Sequence, residues 1–280
     1  MTELRGAPVA AAITETCKEK IAELKSKGIT PTLAIVRVGA RSDDESYERG
    51  AEKRFANAGA EIRKHILPED VSQEELESLI TELSDDKSIH GILLFRPLPK
   101  HLDESRIKRL ISMDKDVDGM SYEGLGGLMA SKDDTLAPFT PRAVIELLDF
   151  YGIDLAGKRV TLIGRSAVVG LPLAVMLIKR SATVTVCHTK TREIAKECAG
   201  ADIIIAAAGK AKMVGAEYIS EGQILIDVGI NFEDGKMCGD IDYEAALAKA
   251  EAATPVPGGI GAVTTSVLLK QTVDSAKKLC

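Results

Sequence analysis

The sequence predicts an α/β protein of two lobes, each built on a parallel sheet. Apolar, β-branched runs alternate with amphipathic helix-length stretches, and this alternation stops and restarts around an acid- and glycine-rich stretch near residue 120. Strand–helix–strand order of this kind implies parallel strands with right-handed crossovers. A third observation is residues 159–172, RVTLIGRSAVVGLP. An apolar run breaks at Gly164, turns, and enters a helix at Gly170. That is how a backbone comes close to a phosphate and aims helix N–H groups at it. The spacing departs from G-x-G-x-x-G, with Ser166 and Val169 at the later glycine places. Taken alone, the fragment fits either a nucleotide site or a plain βα turn.

Bulk properties narrow the class. The 280 residues suffice for two domains or one large one. A hydrophobic content of 45% and a charged content of 28% suit an ordinary globular protein. A net charge of −6 argues against a general nucleic-acid surface. No apolar run approaches the roughly 20 residues of a membrane span. The first residues lack the basic-then-apolar order of a signal peptide, so a cytoplasmic location is expected. The five cysteines are scattered without a C-x-x-C pair, so neither a disulfide framework nor a zinc site is indicated.

Residues 8–27 read as an amphipathic helix closed by Gly28. Strand 32–39 follows, then a helix ending near Gly59, then strand EIRKHIL. Ser72 and Glu75 form a capping box for a helix reaching about Leu83. HGILLF is a third strand, stopped by Pro97 and Pro99, and residues 103–112 are expected to be helical. Residues 112–133 read as a site-forming connection between lobes. A helix opens at FTPRAVIELL, with Thr140 as N-cap and Pro141 at the first helical position. Strands at 159–163, 182–187, 203–207 and 223–228 then alternate with helices at 169–180 and 191–199. The glycine-rich TPVPGGIGAVTT leads into a last helix.

The second lobe carries the nucleotide argument. A dinucleotide fold usually places an acid at the end of its second strand for the ribose 2′-OH. Here that strand ends in Cys187, His188, Thr189 and Lys190, with no acid. Arg165, Thr189 and Lys190 suit a 2′-phosphate, so NADP is preferred over NAD; the alternative is a solvated basic turn. Residues 226–231, IDVGIN, end a later strand and would put Ile230 on the nicotinamide side; the alternative is a buried strand and turn. His188 reads as a hydrogen-bonded structural residue rather than a base. Asp116 and Asp118 make a poor metal site, since only two carboxylates stand together. A carboxylate that binds an amidine-like ring edge fits them better.

These motifs resemble the methylenetetrahydrofolate dehydrogenase/cyclohydrolase family over essentially the whole chain. The resemblance is carried by PTLAIVRVG, SYERGAEK, GILLFRPLP, DKDVDG, FTPRAVIELL, GRSAVVGLP, CHTKT, ADIIIAAAGK, IDVGIN and TPVPGGIGAVT. It implies a folate/catalytic domain over residues 1–119 and a Rossmann-like NADP domain over 120–280. It also implies a last helix, about 262–280, packing back on the first domain, a homodimer, and a folate cleft between lobes. The implied cofactor contacts are Gly164, Arg165, Ser166, Thr189 and Ile230. The implied folate contacts are Tyr47, Ala51, Phe95, Arg96, Asp118, Pro257, Gly258, Gly259 and Gly261, with Tyr47 and Asp118 as the catalytic pair. Tyr47 would stack on the pterin.

Of the departures from the family pattern, those at Ala143 and Ala262 touch only loop stiffness, and two others bear on the chemistry. Four residues after its tyrosine the family has a lysine, one helical turn on and on the same face; here that residue is Ala51. The family's glutamine falls at Phe95. Lys53 points to another face of the helix, whereas Arg54 returns to the face of Tyr47 a turn further along. Arg96, next to Phe95 on an extended segment, is expected to point the opposite way. The expected function is NADP-dependent oxidation of 5,10-methylenetetrahydrofolate, with the cyclohydrolase step weak or lost. The alternatives are a fully bifunctional enzyme, a non-catalytic folate- or NADP-binding protein, and a dehydrogenase of another one-carbon carrier.

Overall fold

The computed structural model describes residues 1–130 and 137–279, apart from the side chain of Asp43. By contact the chain forms two compact units. One comprises residues 11–139 and 265–280, the other residues 1–10 and 140–264. The boundary thus falls at Phe139/Thr140 rather than at 119/120, because residues 120–130 continue the packing of the DKDVDG loop. Among the described residues no helix is long and apolar enough to cross a membrane.

The chain opens with β1 (Thr2–Glu3) and α1 (Gly6–Ser26). Helix α1 ends where Gly28, at φ +79, donates to Lys25 O and Ile29 donates to Leu24 O. Only glycine adopts that left-handed conformation without strain. Next come β2 (Thr32–Val38), α2 (Ser42–Ala58), β3 (Glu61–Leu67), α3 (Gln73–Asp85) and β4 (Gly91–Leu94). The Ser72/Glu75 capping box forms as expected. The three strands are parallel in the order β3-β2-β4. Strands β2 and β4 are buried along their whole length, which is why they read as unbroken apolar runs. Their Ala34, Val36, Ile92 and Leu94 pack on Leu76 and Ile80 of α3.

The expected helix over 103–112 is only α4 (Glu104–Ile107). Beyond it, Arg109 and Leu110 donate to carbonyls three residues back, so the chain tightens into turns. The stretch read as a connection contains α5 (Tyr122–Ala130); residues 131–133 of that stretch lie outside the described residues. Buried Lys115 donates through Nζ to the carbonyls of Leu83, Ser84 and Asp86, capping the end of α3. Helix α6 (Phe139–Phe150) begins one residue before Thr140. Thr140 therefore lies inside the first turn, with Pro141 beside it, where a missing N–H costs nothing.

The second unit continues with β5 (Arg159–Ile163), α7 (Gly170–Lys179), β6 (Thr183–Cys187), α8 (Ile194–Ala199), β7 (Ile203–Ala206) and β8 (Ile224–Asp227). Helix α8 starts later than residue 191 because Thr191 closes a turn instead. Its Oγ1 accepts from His188 N and its N–H donates to His188 O. A hairpin of β9 (Asn231–Glu233) and β10 (Lys236–Cys238), then α9 (Tyr243–Lys249) and β11 (Ala252–Ala253), complete the unit. The large sheet is parallel throughout, in the order β1-β11-β8-β7-β5-β6. Helix α10 (Thr264–Leu279) closes the chain, and all but its first residue belongs to the first unit. There Lys20 of α1 pairs with Asp274 at 2.7 Å, and Gln271 donates to Ala137 O.

Candidate active site

Each parallel sheet has a topological switch point, where ligands bind in open α/β folds. In the first unit β2 lies between β3 and β4, so the switch point is at the carboxyl ends of β2 and β4. The residues expected to hold folate in this unit gather there. Phe95 follows β4 directly and donates its N–H to Val36 O. The Tyr47 ring, from α2, meets the Phe95 ring edge-on at 6.0 Å and the Phe139 ring at 5.9 Å. Ala51, one turn further along α2, is fully buried. Lys53 is exposed, and Arg54 donates to Thr14 Oγ1 at 3.3 Å, so it is turned toward α1.

Arg96 follows Phe95 beyond the end of β4 at Leu94 and reaches the DKDVDG loop. Its Nη2 donates to Asp118 Oδ2 at 2.6 Å, and its Nη1 lies 3.5 Å from Glu104 Oε1. Lys108 holds the same Glu104 oxygen at 2.6 Å. Burial pushes the Asp118 carboxyl up to about 6, with Arg96 pulling the other way and Asp116 adding to the rise. Asp116 shapes the loop: it accepts from Met120 N at 3.1 Å and from Ser121 N at 2.7 Å. A bridge from Asp116 to Ile92 lays this loop beside β4. Among the described residues no group of three or more His, Cys, Asp or Glu could hold a metal.

In the second unit β5 lies between β7 and β6, so its switch point is at Gly164 and Ala207. Gly164 has φ +130, and a methyl group there would overlap the Ala207 carbonyl oxygen. One on Gly170 would overlap the carbonyl of Gly164. Bare backbone on both sides of the turn is the cradle a pyrophosphate requires. Ser166 Oγ accepts from Val169 N at 3.0 Å and Gly170 N at 3.3 Å, which leaves its own proton to donate outward. Arg165, Thr189 and Lys190 are exposed. His188 Nδ1 accepts from Lys190 N at 3.1 Å, in line with a structural rather than a basic role.

Ile230 is exposed, and Gly261 faces its side chain. Gly258 O accepts from Gly6 N at 2.8 Å, which ties the TPVPGG turn to the start of α1. Pro257, Gly258, Gly259 and Gly261 thus belong to the same unit as the cofactor residues, while Tyr47, Ala51, Phe95, Arg96 and Asp118 belong to the other. A network of buried acids went unread in the sequence. Asp227 accepts from the N–H groups of Gly229, Asp240 and Ile241, and its own N–H donates to Thr254 Oγ1. Asp240 accepts from Ala208, Gly209 and Lys210 N and from Asn231 Nδ2. The signal available was that IDVGIN and CGDID each place an acid at a strand end, where orphan amides collect.

A glycine cradle at one switch point and an aromatic–carboxylate cluster at the other define a nucleotide-dependent α/β enzyme of two domains. Residues 4–118 match the model for the catalytic domain of tetrahydrofolate dehydrogenase/cyclohydrolase, and residues 138–280 match its NAD(P)-binding domain. The chain belongs to the tetrahydrofolate dehydrogenase/cyclohydrolase family. It is 47% identical to the bifunctional protein FolD of Carboxydothermus hydrogenoformans, covering 99% of this chain and 97% of that one. The bifunctional FolD enzyme of Campylobacter jejuni superposes with a TM-score of 0.96 at 42% identity, covering 99% of both chains. A Trypanosoma brucei FolD structure, complexed with NADP cofactor and inhibitor, gives a TM-score of 0.94 at 35% identity, covering 99% of this chain and 98% of that one.

Proposed function

We propose that this chain oxidises 5,10-methylenetetrahydrofolate with NADP and hydrolyses the methenyl product to 10-formyltetrahydrofolate. The observation that carries the folate reading is the cluster around Phe95 and Arg96. Tyr47 touches one of these residues and Asp118 the other, at the carboxyl ends of β2 and β4. The hydrolytic step enters because relatives as similar as the 47% identical one are named bifunctional.

The first reaction needs positioning more than acid–base chemistry. A folate nitrogen's lone pair expels the hydride from the one-carbon bridge. Tyr47 offers its ring for the pterin to stack on. Asp118 accepts hydrogen bonds from the amidine edge of that ring. The turn from Gly164 to Gly170 fits the cofactor, with Ser166 donating to phosphate and Arg165, Thr189 and Lys190 meeting the 2′-phosphate. When bound, NADP supplies the nicotinamide that accepts the hydride. Ile230 would line the nicotinamide side, and the Pro257–Gly258–Gly259–Gly261 turn would meet the folate. In the second reaction the methenyl carbon is already electrophilic, and water adds to it and gives up its protons. The bond from that carbon to N5 breaks, N5 takes up one proton and the other goes to solvent, while the chain holds the ring. We carry the homodimer forward as part of this reading.

A second reading is dehydrogenase alone. It is favoured by Ala51 and Phe95, which put apolar groups where the family has lysine and glutamine. A paired assay on one preparation decides between them. NADPH formation from methylenetetrahydrofolate and methenyl decay above the spontaneous rate support both steps. Reduction without hydrolysis leaves the second reading, and loss of both sinks the folate assignment.

A further inference from the structure

Position 51 offers no cation, yet a guanidinium reaches Asp118 from elsewhere. Asp118 stands in a loop fixed by the Asp116 hydrogen bonds to Met120 and Ser121 N. Arg96 approaches from the segment after β4. It is clamped between Asp118 at 2.6 Å and Glu104 at 3.5 Å, and Lys108, just past the end of α4, restrains Glu104. The side chains of both Arg96 and Asp118 are largely withdrawn from solvent, at 16% and 6% exposure. Oδ2 takes the guanidinium, and no further described hydrogen bond reaches the carboxylate.

The charge state of Asp118 decides what it can bind. An ionised carboxylate is an acceptor at both oxygens, whereas a protonated one donates at one of them. The amidine edge of a pterin presents two N–H donors, so only the ionised form matches it. The charged groups facing Asp118 are Arg96, Asp116 of its own loop and Lys108 just past α4, with Glu104 beyond Arg96. Burial and Asp116 favour protonation. Arg96 is the larger of the two opposing cationic influences.

We propose that Arg96 is a positioning residue that orients the Asp118 carboxylate and keeps it ionised to receive the pterin's amidine edge. The assignment rests on the folate reading above. It gives Arg96 a role through Asp118 rather than as a base, since a guanidinium keeps its proton at any working pH.

The test compares wild type with Arg96→Leu and Arg96→Lys. Carboxyl-carbon NMR of aspartate-labelled protein, with Asp118→Asn assigning the signal, reads the Asp118 midpoint directly. Steady-state assays at saturating NADP read KM for methylenetetrahydrofolate from pH 6 to 9. In Arg96→Leu the midpoint is expected to rise by about one pH unit or more. KM should be several-fold higher at neutral pH and approach the wild-type value near pH 9, with kcat little changed. Arg96→Lys should fall between the two. An unmoved midpoint overturns the proposal, as does a KM raised by the same factor at every pH, which is what a merely structural role gives. If Leu unfolds the chain, Arg96→Gln makes the same comparison. Wild-type protein that turns over no folate removes the functional reading and this role with it. Turnover with a pH-independent defect in the variant removes this role alone.

Discussion

Asp240 donates its backbone N–H to Asp227 Oδ1 at 3.0 Å, and both carboxylates are buried. Through this pair the ends of β7 and β8 become one unit. Asp227 gathers the chain after β8, and Asp240 gathers the loop after β7. Ile230 and the TPVPGG turn hang from the same network, because Thr254 bonds Asp227.

Burial pushes the Asp227 carboxyl from its ordinary 3.8 up to about 6, against the pull of three backbone N–H groups. A carboxyl raised in the fold favours its protonated form. Its stabilising contribution is full below about pH 4 and is lost as pH rises through about 6. Urea unfolding of wild type and Asp227→Asn should therefore give a stability difference that shifts by about 2 kcal/mol against wild type between pH 4 and 7. A difference independent of pH would refute the assignment.

Gly164 admits no side chain. Its φ of +130 and the Ala207 carbonyl both exclude a Cβ. Gly164→Ala should cost about 2 kcal/mol or more of stability, from strain and displaced backbone. It should also weaken NADP binding at least about tenfold, as the cradle deforms. Thermal unfolding with and without NADP measures both. A variant with wild-type melting and the usual shift on adding cofactor contradicts the cradle.

Cofactor choice should follow the exposed cations. Removing Arg165 as Arg165→Ala takes away charge-assisted hydrogen bonds to a 2′-phosphate. That lowers kcat/KM for NADP by roughly 10- to 100-fold and leaves NAD nearly unaffected. Lys190→Ala should act in the same direction, more weakly. Equal losses with the two cofactors would mean these residues do not read the 2′-phosphate.

The apolar pair at Ala51 and Phe95 can be reversed. Ala51→Lys alone introduces an amine at a fully buried position and should destabilise by about 2 kcal/mol or more. Phe95→Gln removes the ring that meets Tyr47, one helical turn before position 51, and offers an amide in its place. The double variant should therefore lose less than the sum of the singles. Methenyl hydrolysis in the double variant is expected to rise several-fold over wild type. No gain in a folded double variant would show that the pair does not limit the step.

Much of this was legible in the sequence where burial and periodicity agree. Strands β2, β4, β5 and β7 are buried on both faces, so their runs of valine, isoleucine and leucine declare them. Helix α5 escaped notice because its glycines read as a loop. Gly124 is there for space: a Cβ would lie 2.9 Å from Ser121 Oγ and 3.2 Å from Asp116 Oδ2. The partners of Arg96, Asp118 and Glu104, were not legible, because they come from segments 22 and 8 residues further along the chain. The acids of IDVGIN and CGDID hint at the Asp227–Asp240 network, but long-range amide capture leaves no local pattern that names the partners. Tyr47, Asp118 and Gly164 stand out by their motifs, but the residues they touch do not.

The chain's division has a consequence for how the protein is made. Residues 11–139 leave the ribosome early, yet their compact unit also includes residues 265–280. The half that is translated first is thus the last to be finished. It must wait, with the surface meant for α10 uncovered, until synthesis has passed Leu279. A gene cut near codon 139 would yield two fragments, each lacking a piece held by the other.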